Sequence, residues 1–374
     1  MDQIHVSDHS NAINANVSPP VPPVNQDEVS EEHRALENEI LNLKVALENA
    51  RKAVADTDFY KMTEEVPGLD RIKFKVCKHL RGHLAKVTSM QWGSDNQLLL
   101  SAAQDGKLIV WDTFTGKKIH MIPLKTAWVM GCAFSPSLNL CASGGLDNAI
   151  SLFSLKTRDN SAKFIRELTG HTGYVGCLRY VDEQHLLTSS GDKTCAYWDI
   201  ENAKLVTSYR GHANDVTAIA LSKQQQPNTF VSSSSDRTCR LWDMRMGEAV
   251  GYYEGHQQDV NGVDFFPVSS YAFVSSSDDG SCRLWDIRAD QAIGVYIDDV
   301  IDCGSSSVAV SKSGRLLIAG YDDFNCHVWD LLREERVGIL SLHENRVSCV
   351  TISENGSGVA TGSWDTTCLI WTAK

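Results

Sequence analysis

Histidine, serine and aspartate recur together along this chain, and together they are the residue set of a base-activated nucleophile. Four sets are complete: His171 with Ser190 and Asp192, His212 with Ser234 and Asp236, His256 with Ser277 and Asp279, His343 with Ser363 and Asp365. An aromatic follows each one: Trp198, Trp242, Trp285 and Trp371. A hydrolase needs one such set in one cleft. Four evenly spaced sets point instead to a repeated structural unit with a buried hydrogen-bonded network, which is costly to half-break because an orphaned partner stays desolvated. The 11 cysteines include no CxxC pair. Cys195, Cys239, Cys282, Cys326 and Cys368 each fall three residues after an aspartate, some forty residues apart. Zinc ligands come in close pairs, so these cysteines read as small buried hydrophobes of a reducing compartment. No Gly-rich phosphate loop, metal-ligand cluster or nucleophile motif is present, so neither enzyme activity nor any cofactor or metal is expected.

The elements that position these sets repeat with them. The closing aromatics are Trp111, Phe153, Trp198, Trp242, Trp285, Trp329 and Trp371, spaced 42, 45, 44, 43, 44 and 42. An aspartate lies six residues before each: Asp105, Asp147, Asp192, Asp236, Asp279, Asp323 and Asp365. His83, His171, His212, His256 and His343 precede five of these aspartates by 21–24 residues. A period near 40–45 with Gly-His and Trp-Asp is the WD40 signature, one four-stranded propeller blade per repeat. The fold expected is all-β, a seven-bladed propeller. In WD40 proteins the Ser two before the Asp joins the His and the Trp; on that pattern blades two and six lack the His, and blade one has Ala103 for the Ser. The last repeat reaches Trp371 without a strand after it, whereas 70–80 ("DRIKFKVCKHL") is strand-like and has no repeat of its own. It is expected to supply the missing outer strand, removing an exposed sheet edge.

Residues 1–29, with "SPPVPP" at 18–23, are polar and read as a disordered tail. Residues 30–58 read as a helix: Ser30 can cap it, and Leu36, Ile40, Leu43, Leu47, Ala50 and Val54 form a heptad seam. A helix of that length is marginal alone, so a partner helix is expected. Residues 59–69 are a linker and 70–374 the propeller. The formal charge of -12, with no basic run, argues against nucleic acid or anionic lipid as the main partner. The opening "MDQIHVSDHSNAINANV" has no basic region followed by an apolar one, and neither a spanning apolar run nor a lipidation signal is seen. Cytoplasmic location is expected, with any membrane attachment borrowed from a partner.

A short coiled-coil helix joined to a seven-bladed propeller resembles the heterotrimeric G-protein β subunit, from about residue 30 onward. The words that carry the resemblance are "NARKAVAD" (49–56), "LRGHLAKV" (80–87), "WVMGCAFSPS" (128–137), "GGLDN" (144–148), "GHTGYVGC" (170–177), "SKSGRLLIAGYDDFNCHVWD" (311–330) and "HENRVSCV" (343–350). They look like the conventional γ-pairing type. The resemblance implies a non-catalytic scaffold: an obligate γ subunit on the coiled-coil seam, the GDP form of an α subunit on one rim, and effectors on the same rim once α leaves. It implies receptor signalling through the heterotrimer and attachment to the cytoplasmic face of the plasma membrane through a lipid on γ. Position by position, the implied α and effector surface is Leu84, Lys86, Trp128, Met130, Leu146, Asn148, Tyr174, Asp215, Asp259, Asp278 and Trp364. Departures from the family pattern are Thr88 for a Tyr, Lys117-Lys118 for Asn-Lys, and Thr217 for a Met, all read as surface positions. The other reading is a WD40 adaptor such as a ubiquitin-ligase substrate receptor; the preceding helix and the family words in the loops favour the β subunit.

Overall fold

The β-branched and aromatic runs between Gly, Asp and Ser turns become strands of five to eight residues, arranged in seven antiparallel four-stranded sheets. The computed structural model describes residues 34–36, 38–43, 45–46, 63, 65–156, 161–222, 228–298 and 300–373. The chain divides into two units, Met1–Asp58 and Phe59–Lys374. In the first, the described residues within 34–46 are helical, with Leu36, Ile40 and Leu43 all more than half exposed. The expected tail 1–29 and the seam positions Leu47, Ala50 and Val54 lie outside the described residues.

The second unit is the propeller. From the inner strand outward, blade one is Val87–Trp92, Leu98–Ala103, Lys107–Asp112 and Lys118–Pro123. Blade two is Val129–Phe134, Leu140–Gly145, Ala149–Ser154 and Lys163–Thr169. Blade three is Val175–Tyr180, His185–Ser190, Thr194–Asp199 and Lys204–Arg210. Blade four is Val216–Leu221, Thr229–Ser234, Thr238–Asp243 and Ala249–Glu254. Blade five is Val260–Phe265, Ala272–Ser277, Cys282–Asp286 and Gln291–Tyr296. Blade six is Ser305–Val310, Leu316–Tyr321, Asn325–Asp330 and Glu335–Ser341. Blade seven is Val347–Ile352, Val359–Ser363 and Thr367–Ala373, and its outer strand is Phe74–Arg81. That strand runs antiparallel to Thr367–Ala373, with Phe74 opposite Ala373 and Arg81 opposite Thr367. The ring is therefore latched by strands from opposite ends of the repeat array.

Apolar side chains fill the spaces between blades rather than a single centre. Leu80, Trp92 and Trp111 pack with Ala360 and Ile370 across the junction of blades seven and one. Val274, Leu284 and Tyr296 of blade five pack with Val308, Leu317 and Tyr321 of blade six. Cys195, Cys239, Cys282, Cys326 and Cys368 are fully buried in these layers as free thiols, as their apolar reading required.

Every inner strand shifts register between its first and third residues, which leaves the second one bulged. The bulged residues are Thr88, Met130, Gly176, Thr217, Asn261, Ser306 and Ser348. Freed from the ladder, five of them donate a side-chain hydrogen bond to the first backbone carbonyl of the next inner strand. Thr88 reaches Val129 O at 2.8 Å, Thr217 reaches Val260 O at 2.6 Å and Asn261 reaches Ser305 O at 3.0 Å. Ser306 reaches Val347 O at 2.5 Å, and Ser348 reaches Val87 O at 2.5 Å, closing the circle. Thr88 and Thr217 were expected to be surface positions. They are half-buried, and their hydroxyls clasp neighbouring blades because a short β-branched side chain on a bulge reaches the adjacent backbone.

Candidate interaction surface on one face of the propeller

In an antiparallel blade, the loop entering the inner strand and the turn between the second and third strands emerge on the same face. That topology gathers the expected site residues. Leu84 and Lys86 enter blade one, Trp128 enters blade two, and Tyr174, Asp215 and Asp259 enter blades three, four and five. Leu146 and Asn148, Asp278, and Trp364 occupy second-to-third-strand turns of blades two, five and seven. Met130 is on the bulge of blade two, where a bulge re-aims the side chain.

The repeated polar set holds these loops. In blade four His212 Nδ1 lies 2.8 Å from Asp236, its Nε2 lies 2.7 Å from Ser232 Oγ, and Trp242 Nε1 donates to the same hydroxyl at 2.8 Å. Indole N–H can only donate, so the serine O–H points at Nε2 and the imidazole Nδ1–H points at the carboxylate. This corrects the expected position of the bridging hydroxyl. It lies four residues before the Asp, not two: Ser101, Thr188, Ser232, Ser275 and Thr361. Strand side chains alternate with period two, so both hydroxyls share a face, but only the deeper one reaches the rings. Ser190, Ser234, Ser277 and Ser363 serve the turn instead. Each accepts from the backbone N–H of its Asp and donates to a carbonyl of the incoming loop, as Ser234 does to Asn214 O at 3.2 Å. Blade one, with Ala103 at the shallower position, is nonetheless complete through Ser101, His83, Asp105 and Trp111. In blade two Thr126 takes the place of the His and donates to Asp147 at 3.0 Å. In blade six His327, on the third strand, meets Asp323 at 2.8 Å.

The carboxylate also accepts from the backbone N–H just after each His: Leu84, Thr172, Ala213, Gln257 and Glu344. The buried set thus fixes where each loop leaves the blade. Burial would raise the Asp236 carboxyl, but the hydrogen bonds from His212 and Thr238 outweigh it and hold it well below the usual carboxylate range; Asp279 and Asp365 behave alike. Burial lowers the His83 and His256 pKa values, keeping both rings neutral. The bridging hydroxyls of all five sets are fully buried, beyond reach of a substrate.

On the face itself, Lys86 Nζ sits 3.6 Å from the centroid of the Trp364 ring, and the Arg346 guanidinium lies 5.2 Å from it. Arg346 Nε in turn pairs with Asp322 at 2.6 Å. Leu84, Trp128 and Leu146 are 78%, 53% and 50% exposed on this one face, and Leu146 N–H bonds Trp128 O at 3.0 Å, which places the last two side by side. Tyr174 donates to Asp215 Oδ2 at 3.1 Å, spanning blades three and four; burial and the Asp215 charge push its phenol up to about 12. Asp278 accepts from Asn261 Nδ2 at 2.6 Å, and its backbone N–H bonds Asp259 O. The sequence reading did not single out Arg346 or Phe324. Phe324 is 44% exposed at φ 72 in the turn of blade six, where Asn148, Lys193, Arg237 and Thr366 stand in other blades; an aromatic in that series was the available signal.

Two curated relatives cover nearly the whole chain. The chain is 50% identical over 337 residues to guanine nucleotide-binding protein G(I)/G(S)/G(T) subunit beta-1 of Homarus americanus, covering 90% of this chain and 98% of that one. It is 51% identical over 343 residues to guanine nucleotide-binding protein subunit beta of Lymnaea stagnalis, covering 92% of this chain and 100% of the other. The G protein beta WD-40 repeat family matches residues 30–372, taking in the helix, the blades and the loops of this face, and the chain belongs to that family.

Proposed function

We propose that this protein is the non-catalytic β subunit of a heterotrimeric G protein, transducing receptor signals by exchanging partners on one face. The observation that carries the reading is that face: exposed Leu84, Trp128 and Leu146 beside the Lys86–Trp364 pair, rimmed by Asp215, Asp259 and Asp278. An apolar, aromatic centre with a charged periphery is the makeup of a binding hot spot, the charges setting register and encounter rate. A GDP-loaded α subunit covers this surface, and effectors use it once GTP releases α, so the two are mutually exclusive. A small helical γ subunit pairs along the seam begun by Leu36, Ile40 and Leu43, which are exposed apolar side chains at heptad spacing. Among the described residues no helix is long and apolar enough to cross a membrane, and a lipid on γ provides the attachment.

The test is co-expression with a prenylatable γ subunit, addition of GDP-loaded α, and gel filtration before and after a non-hydrolysable GTP analogue. Co-elution of all three, with only α leaving on the analogue, is the expected result. A chain that is soluble alone and ignores both partners defeats the reading.

A further inference from the structure

Four blades carry a Gly-His pair, and in three of them a cationic side chain covers the glycine against the blade's Trp. A Cβ on Gly211 would meet Arg240 Nη1 at 2.6 Å, and one on Gly255 would meet Arg283 Nη1 at 2.8 Å. Gly82 is covered in the same way by Lys118. Gly170 of blade three is different: only the edge of Trp198 lies within 4 Å. The cause is in the register. Arg240 of blade four faces Tyr252, whereas the matching pair in blade three is Ala196 opposite Ser208. Two small residues replace a stacked Arg–Tyr pair, and a cavity of 390 Å³ opens above them.

The charge at its mouth is inverted as well. Thr238 of blade four faces Glu254, which takes the Tyr252 hydroxyl; Thr194 of blade three faces Arg210. Lys193, at φ 71 in the adjoining turn, adds a second cation to the lining. Neither side chain makes a hydrogen bond or ion pair with a described residue. The one carboxylate in the lining, Asp192, has both oxygens engaged by His171, Thr172 N–H and Thr194. An acidic chain has thus placed two cations, neither paired with a described residue, beside a slot floored by an aromatic edge. Two of the slot's three sister sites hold a planar guanidinium, and its volume is at the small end of ligand pockets.

We infer that the blade-three cavity binds an anionic group on a flat apolar stem, of the aryl phosphate or aryl carboxylate class, with the stem on the Trp198 edge over Gly170 and the anion between Lys193 and Arg210. Charge-assisted hydrogen bonds from a guanidinium and an ammonium suit a phosphate oxygen set. The site shares no residue with the face set proposed above, although Lys193 turns on the same side of the ring, and it does not depend on that reading.

The probe is phenyl phosphate, titrated calorimetrically at low salt into the full-length chain purified in the complex in which it is soluble. Saturable one-to-one binding is expected, weakened at least tenfold by Ala196→Arg, which refills the slot as blades four and five do. Arg210→Glu, on the exposed outer strand, should weaken it by a similar factor and serves alone if the refilled variant does not fold. A phosphotyrosyl peptide run in parallel separates the sources. Binding at least tenfold tighter than phenyl phosphate assigns the site to a partner's modified side chain, and equal binding assigns it to a free small anion. No saturable binding of either probe, or binding untouched by both substitutions, overturns the inference.

Discussion

Lys86, entering the first blade, lies with its Nζ 3.6 Å from the ring centroid of Trp364, which turns at the top of the seventh. The pair exists only because the ring closes, and it presents Trp364 in one orientation on the candidate face. A cation over an indole face contributes about 0.5–2 kcal/mol depending on desolvation. Trp364→Ala and Trp128→Ala should each weaken binding of a GDP-loaded α subunit at least tenfold while leaving the melting transition in place. Lys86→Ala should have a smaller effect. Surface plasmon resonance on the three variants checks this; unaltered affinity in both Trp variants removes the hot-spot assignment.

Ser232 and Ser234 differ by one strand period and in what they hold. Ser232→Ala strands both His212 Nε2 and Trp242 Nε1 in the core and should cost about 2–3 kcal/mol. Ser234→Ala loses a turn-to-loop tie and should cost about 1 kcal/mol. Ser232→Thr keeps the hydroxyl that Thr188 and Thr361 supply in their own blades, and should recover most of the loss. Urea denaturation of the three variants orders them, and equal losses for the two Ala variants contradict the network as described.

Stability should fall in acid in two stages. The folded pKa values of His83 and His256 lie below the ordinary 6.5, so the unfolded chain takes up protons first and stability declines as pH drops below that value. Asp236, Asp279 and Asp365 are held below 3.8, so their contribution is complete above that pH and is lost as pH falls toward their folded values. Above about pH 7 these groups contribute no further change. Unfolding free energy measured from pH 3 to 8 tests the sign; a gain in stability on acidification from pH 7 to 5 contradicts it.

Thiol reactivity should be confined to a small part of the cysteine set. Burial pushes the Cys132, Cys282 and Cys349 thiols up to about 12, whereas Cys77 is exposed and Cys303 half-buried. Brief alkylation of native protein followed by peptide mass mapping should modify Cys77 first and Cys303 more slowly. Rapid labelling of Cys132 or Cys349 would show that the inter-blade layers open.

The clasp from Thr217 to Val260 O should be worth about 1 kcal/mol. Thr217→Val removes the hydroxyl with little change of shape. Faster amide exchange confined to the inner strands of blades four and five is the expected signature, and no local change would make the bond incidental.

The sequence by itself determined the number of blades, the phase of the repeat, the aspartates and aromatics of each blade, and the family, because each rests on local periodicity or on words of adjacent residues. It also placed 70–80 as strand-like, a property of its own residues. Tertiary structure alone decided what those residues touch. Ser232 and Ser234 are indistinguishable in a string, since both lie on the same face of one strand, and only packing depth sends the first to the Trp ring. Thr88 and Thr217 read as surface because the bulge that frees them is a mismatch between two strands, invisible in either one. Arg346 meets Trp364 because the incoming loop and the turn of blade seven emerge side by side, and Lys86 meets it from blade one only because the ring closes across the ends of the repeat array. The empty slot beside Gly170 needed the same comparison in space, four glycines seen against the side chains that cover three of them.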